Sequence, residues 1–175
     1  MNPVHARNHT AILAQGGGVF QSLPYFLASN NILFSKQRFL EIGGFDPSFS
    51  RAGAEDRDFC DRWRMAQWPL VWEPSACVIH RHSQTLWTFI RLHIRYGRGA
   101  FRYQALRQQR GSGTILEDFG FHRSLPRRVI QCFMTEHRVR KPLQTLIGLG
   151  IWQIANAMGF AIEALLARRA GNGWF

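Results

Sequence analysis

Three carboxylates within four residues, Glu55, Asp56 and Asp58, follow Gly53-Ala54, and two histidines, His80 and His82, alternate just beyond the apolar run Ala76-Cys77-Val78-Ile79. A carboxylate in the first turn of a helix meets unsatisfied backbone N–H groups and the positive end of the helix dipole, which favour its ionised form. There it can take a proton from a hydroxyl that attacks an electrophile. Adjacent helical residues point in different directions, so only one of the three can fill a base position. Asp56 is the candidate, with Glu55 beside it, while helix-start electrostatics alone also accounts for such a cluster. His80 and His82 share one face if the strand continues, and an imidazole there can help hold a divalent metal together with carboxylates from elsewhere. Cys77 nearby hints at zinc, but no second Cys or His pair lies at a ligand spacing, and surface histidines without a role are the plain alternative.

The elements that must position these groups alternate between strand and helix. Residues 1–18 are weakly patterned, and Gly16-Gly17-Gly18 reads as a flexible turn. Residues 27–34 read as a strand; Ser35 then caps a short helix over 36–42 that stops at Gly43. Gly43-Gly44-Phe45-Asp46-Pro47 is turn chemistry. The spacing predicts a helix over 55–66 with Phe59, Trp63 and Ala66 on one face. Residues 70–72 and 76–79 read as two short strands separated by Glu73-Pro74-Ser75, and Ser83 is the expected N-cap of a long helix reaching about Arg107.

Charge and hydropathy divide the chain further. The 22 Lys and Arg against 11 Asp and Glu give a formal +11, which calls for an anionic partner, and 46% hydrophobic residues in 175 supply one core. Seven acids (Glu41, Asp46, Glu55, Asp56, Asp58, Asp61 and Glu73) lie within 41–73, whereas residues 74–116 hold none. In that acid-free stretch Arg91, Arg95, Arg98 and Arg102 stack along one helical stripe, either a solvated face or a track for phosphate or acceptor, for which Arg95 and Arg98 are the candidates. Residues 143–166 are strongly apolar, with Thr145, Gln153, Asn156 and Glu163 on one side, and cations at 138–141 and 168–169 flank them. That pattern suits a helix in a membrane interface or a packed core helix, ahead of a transmembrane one. Three cysteines in no framework, and an N-terminal apolar run too brief for a signal peptide, give the expectation of a reducing, cytoplasmic setting.

The series Asn30-Asn31-Ile32-Leu33-Phe34, Phe39 to Phe49 with Gly43-Gly44-Phe45-Asp46-Pro47, Gly53 to Arg62 with Glu55-Asp56, and Val71 to His80 strongly resembles the second half of a family 2 glycosyltransferase. The resemblance covers about residues 25–105 and matches in order and spacing. It implies an α/β fold: a partial GT-A type (Rossmann-like) half with a small mixed sheet, then a long basic helix and a C-terminal apolar helix. It also implies transfer of a sugar from a nucleotide-sugar donor to a hydroxyl of a glycan or lipid-linked acceptor, with inversion. By resemblance Asp56 matches the catalytic base of the Glu-Asp motif and Arg62 a supporting arginine on the same helix, with Asp58 between them. His80, and less closely His82, match a late histidine that can help hold Mg or Mn.

Such enzymes begin with a nucleotide-binding half carrying an Asp-x-Asp type motif, and here no Asp precedes Asp46. The resulting expectation is three segments: 1–24, weakly patterned; 25–110, the acceptor-side half; and 111–175, helical and membrane-proximal. The chain would be an acceptor and catalytic-base half, split or truncated, peripheral on the inner face of the cytoplasmic membrane with an anionic lipid surface as partner. A separate donor-binding half would supply the metal carboxylates, without which no divalent cation binds and the isolated chain is inactive. The readings from other classes are a basic membrane- or nucleic-acid-binding module, with nucleic acid the less favoured partner, and an inactive remnant.

Overall fold

The computed structural model describes residues 4–12, 26–49, 53–116, 123, 127 and 142–171, with backbone alone at 4–12, 74, 80–82 and 142. The chain forms two compact units, Met1–Phe89 and Ile90–Phe175. Their division falls inside the segment 25–110 that the sequence reads as one half.

The first unit is built on a three-stranded mixed sheet of order β2-β1-β3. Strand β1 (Val4–Ile12) is central, and it lies in the segment the sequence leaves weakly patterned. Its parallel partner β2 is only Ile32–Leu33, set opposite Ala11 and Ile12. Residues 27–34 are therefore not one strand: a 3-10 turn, Ser29–Asn31, precedes β2. The backbone there is engaged by side chains instead of a ladder, since the Leu27 N–H donates to Cys60 Sγ at 3.4 Å and the Ser29 N–H to Asp56 Oδ2 at 3.3 Å.

Strand β3 (Trp72–His82) is continuous and antiparallel to β1, where two short strands were expected. Pro74 does not break it because the register runs from Ala11↔Trp72 to His9↔Cys77, leaving residues 73–76 in a bulge without ladder partners on β1. A proline there removes no ladder hydrogen bond.

Helix α1 (Lys36–Glu41) starts as its sequence predicts, with Ser35 Oγ accepting the Arg38 N–H. It ends in a glycine turn: the Gly44 N–H reaches back to Phe39 O at 2.8 Å, with Gly43 and Gly44 both left-handed, at φ 78° and 66°. A Cβ on Gly44 would sit 2.9 Å from the Phe39 ring, so both backbone angle and space demand glycine. Helix α2 (Glu55–Met65) ends at Ala66 and Gln67, the latter left-handed at φ 60°, with the Trp68 N–H closing back on Trp63 O. Phe59 and Trp63 of α2 are fully buried with Cys60, Leu27 and Leu70, and Phe34, Phe39, Phe45 and Trp68 pack against them. Ring centroids of Phe34 and Phe39 stack at 4.7 Å, and Phe45 and Phe59 lie 4.9 Å apart. Truncating a buried ring of this kind costs about 3–5 kcal/mol.

Helix α3 (Leu86–Arg110) begins at Thr85, not Ser83: Thr85 Oγ1 accepts the Thr88 N–H while Thr88 Oγ1 accepts the Thr85 N–H, a reciprocal cap. In the second unit its residues from Ile90 onward pack on α4 (Pro142–Arg169). Gly97 lies so close to the Asn156 carbonyl, and Gly159 to the Ile94 carbonyl, that a Cβ on either would be 2.0 Å from that oxygen. Glycines that the sequence could only mark as helix-weakening are thus where the two backbones touch. Phe101 meets Phe160 edge-on at 5.2 Å, and Arg98 Nε pairs with Glu163 Oε2 at 2.6 Å.

Candidate active site

The turn before α2 sets the carboxylates. Gly53 and Ala54 both have positive φ, 155° and 69°. For alanine the left-handed region is uncommon, and such backbone persists where its surroundings enforce it. Ala54 offers no capping side chain, so the acids of the first turn satisfy local N–H groups themselves. Glu55 Oε2 accepts from Gly53 N–H at 2.5 Å, and Asp56 Oδ1 from Arg57 N–H at 2.8 Å.

The three neighbouring carboxylates have three different surroundings. Glu55 ties down the strained loop. Asp58 is fully buried and bonds Arg62 Nε at 2.9 Å, one helical turn on. Arg62 then spends its remaining donors on the glycine turn, Nη1 on Ile42 O at 2.6 Å and Nη2 on Gly44 O at 2.7 Å. The Asp58–Arg62 pair therefore braces α2 against the turn, a supporting part reached through structure and not through contact with a reacting group.

Asp56 is half-buried, with Oδ2 towards the Ser29 N–H and Oδ1 on the Arg57 N–H. Burial holds its pKa above the ordinary 3.8, with the nearby Glu55 charge adding to the rise and the two N–H bonds and the Arg57 charge opposing it. A carboxylate with a raised pKa grips an abstracted proton more firmly, which is the direction a general base requires. The Arg57 guanidinium carbon lies over the Phe26 ring, 4.6 Å from its centroid.

Cys60, one turn after Asp56, belongs to the same arrangement and went unremarked in the sequence. It is fully buried, accepts the Leu27 N–H and lies 3.7 Å from Leu27 O, and burial pushes its thiol up to about 12. It is an inert packing group that, with Asp56, holds residues 27–29 along α2. The i, i+4 spacing of Asp56 and Cys60 was the available signal.

His80 and His82 fall at the end of β3, with backbones opposite Ala6 and Val4; their side chains lie outside the described residues. Among the described residues no group of three or more His, Cys, Asp or Glu could hold a metal ion. Asp46 is occupied with its own turn, Oδ1 accepting the Ser48 N–H at 2.8 Å. The described side chains do not make a metal centre. Arg95 and Arg98 belong to the second unit, where Arg95 is exposed and Arg98 is paired with Glu163. Among the aromatics interleaved with the arginines, Phe101 and Tyr103 are buried, whereas Trp87 is exposed.

A small mixed sheet carrying a short capped helix, a double-glycine turn and an acidic helix start is the frame that places Asp56. Over residues 25–75, which include all of these except β1 and most of β3, the chain matches a family model described as the N-terminal domain of galactosyltransferase. That similarity relates this segment to glycosyltransferases. It ends before His80 and before the arginine helix. No curated protein and no solved structure compared with the chain matches it.

Proposed function

We propose that the chain supplies the acceptor side of an inverting, nucleotide-sugar-dependent glycosyl transfer of the family 2 kind, with Asp56 as the general base. The observation that carries this reading is the raised pKa of Asp56 at a strained helix start, inside the segment similar to a galactosyltransferase domain. The Asp56 carboxylate takes the proton of the acceptor hydroxyl as its oxygen attacks the anomeric carbon and the nucleotide leaves from the opposite face. Glu55 fixes the turn, Asp58 and Arg62 hold α2, and Ser29 N–H keeps one carboxylate oxygen aligned. The donor nucleotide and any divalent cation come from a separate donor-binding half.

The test is reconstitution of the full chain with a donor-binding half, a panel of labelled nucleotide sugars and lipid-linked or glycan acceptors. Transfer is expected from the pair and lost with Asp56→Asn; undiminished transfer by that variant removes Asp56 from the role. The chain alone is expected to bind nucleotide sugar weakly, and micromolar affinity by calorimetry would contradict the split-site reading.

A further inference from the structure

Helix α4 is apolar along most of its length, and its sides differ in what they meet. Two of its polar side chains meet α3: Glu163 pairs with Arg98, and Asn156 Nδ2, which bonds Trp152 O at 2.8 Å, lies 3.4 Å from His93 Nδ1. Gly159 and Ala155, on the same side, are buried. The opposite side, within about 100° of arc, carries Leu143, Ile147, Ile154, Met158, Ile162 and Leu165, all exposed, Leu143 at 69% and Ile154 at 61%. A surface helix in water shows the reverse arrangement.

By length and composition Leu143–Arg169 is able to cross a membrane. The α3 contact argues against that placement. Asn156, the midpoint of that span, lies against Gly97, so a spanning α4 would carry the neighbouring Arg91, Arg95, Arg98 and Arg102 to mid-bilayer depth. Arg91 and Arg95 are exposed, and Arg98 pairs with Glu163. Guanidinium groups at that depth are strongly disfavoured. Lying flat satisfies both helices: the apolar face of α4 enters the acyl boundary, and α3 remains on its aqueous side with its arginines at headgroup level. Exposed Arg168 and Arg169 at the end of α4, and the absence of any acid in residues 74–116, complement an anionic surface.

We infer that α3 and α4 form a monotopic membrane anchor, in which α4 lies in the plane of an anionic lipid interface with Leu143, Ile154 and Met158 buried in lipid and does not span it. This inference stands on the second unit and is independent of the transfer reading.

The full chain is to be floated with phosphatidylcholine vesicles and with vesicles containing one third phosphatidylglycerol. Binding to the anionic vesicles at least tenfold tighter than to the neutral ones is expected, weakening as salt rises. Ile154→Asp with Met158→Asp should reduce it a further tenfold or more while circular dichroism keeps the helix content. Because both positions are exposed, that variant is expected to fold; Arg168→Gln with Arg169→Gln, which touches neither helix seam, should weaken anionic binding several-fold as an independent check. Alkaline carbonate should release the bound chain. Retention through carbonate would show a spanning helix and overturn the inference. Equal binding to both vesicle types, no binding to either, or a soluble dimer abolished by the Ile154→Asp pair would overturn it as well.

Discussion

In the first unit the rings of Phe34, Phe39, Phe45, Phe59 and Trp63 close on one another and the Glu55–Asp56 turn stays near the surface, whereas in the second Leu143, Ile147, Ile154, Ile162 and Leu165 of α4 face outward and Asn156 and Glu163 face in. Each unit contains an Arg–carboxylate pair, but for different reasons. Asp58–Arg62 locks a turn to a helix inside an aromatic core, and Arg98–Glu163 fastens two helices whose backbones meet at glycines. The contrast teaches that buried polarity in the first unit serves the geometry of a reactive turn. In the second it clears the outer face of α4 for an apolar surrounding.

The largest expected effect is that of Asp56→Asn. The amide oxygen can still accept from the Ser29 and Arg57 N–H groups, so the fold should be retained, while reconstituted transfer is expected to fall about 10²- to 10⁴-fold, as loss of a general base requires. A rate within twofold of the parent would place the turn among merely structural features. Arg62→Met comes next. It removes the guanidinium from the buried Asp58 carboxylate and from the carbonyls of Ile42 and Gly44, a loss of about 3–5 kcal/mol in denaturant unfolding. Adding Asp58→Leu should recover part of that loss by removing the buried charge that Arg62 had balanced; no recovery would mean that the two carbonyl bonds dominate.

The second unit is tested at its glycines. Gly159→Leu forces a side chain into the Ile94 carbonyl and should cost about 1–3 kcal/mol or more, seen as loss of helix content in the melt. Gly150→Ala, with open space around its Cβ, should be neutral or stabilising by up to about 1 kcal/mol. Equal effects at the two positions would deny the α3–α4 seam its role.

How much of this was legible in the sequence follows from how local each determinant is. Helices α1 and α2 could be read within about a residue because Ser35, Gly43 and the period of Phe59 and Trp63 act within one turn or two. Strand β1 could not: Val4 to Ile12 alternates histidine and arginine with small or polar residues, and it becomes a strand through pairing with β3, some seventy residues away. Pro74 misled for a related reason, since only the register shows that it sits in a bulge. At the site, the resemblance pointed to Asp56, but spacing alone could not tell it from Asp58, one held by backbone N–H groups and the other by a guanidinium. The polar side of α4 was legible as a stripe; that it turns toward Arg98 was not, because the partner lies 65 residues away.

The smallest expected effect separates burial from charge at Asp56. Its folded pKa lies above the ordinary 3.8, so between those two values the native state binds more protons than the unfolded chain. Stability contributed by this group is therefore greatest when it is protonated and declines as pH rises through that window, levelling off above the folded pKa. Asp56→Asn removes the decline. A plot of melting temperature against pH for the parent minus that for Asp56→Asn should slope downward from pH 4 and flatten once the native carboxyl is ionised. An upward slope would mean that Ser29 N–H, Arg57 N–H and the helix dipole outweigh burial, leaving Asp56 a weak base and the turn an ordinary helix start.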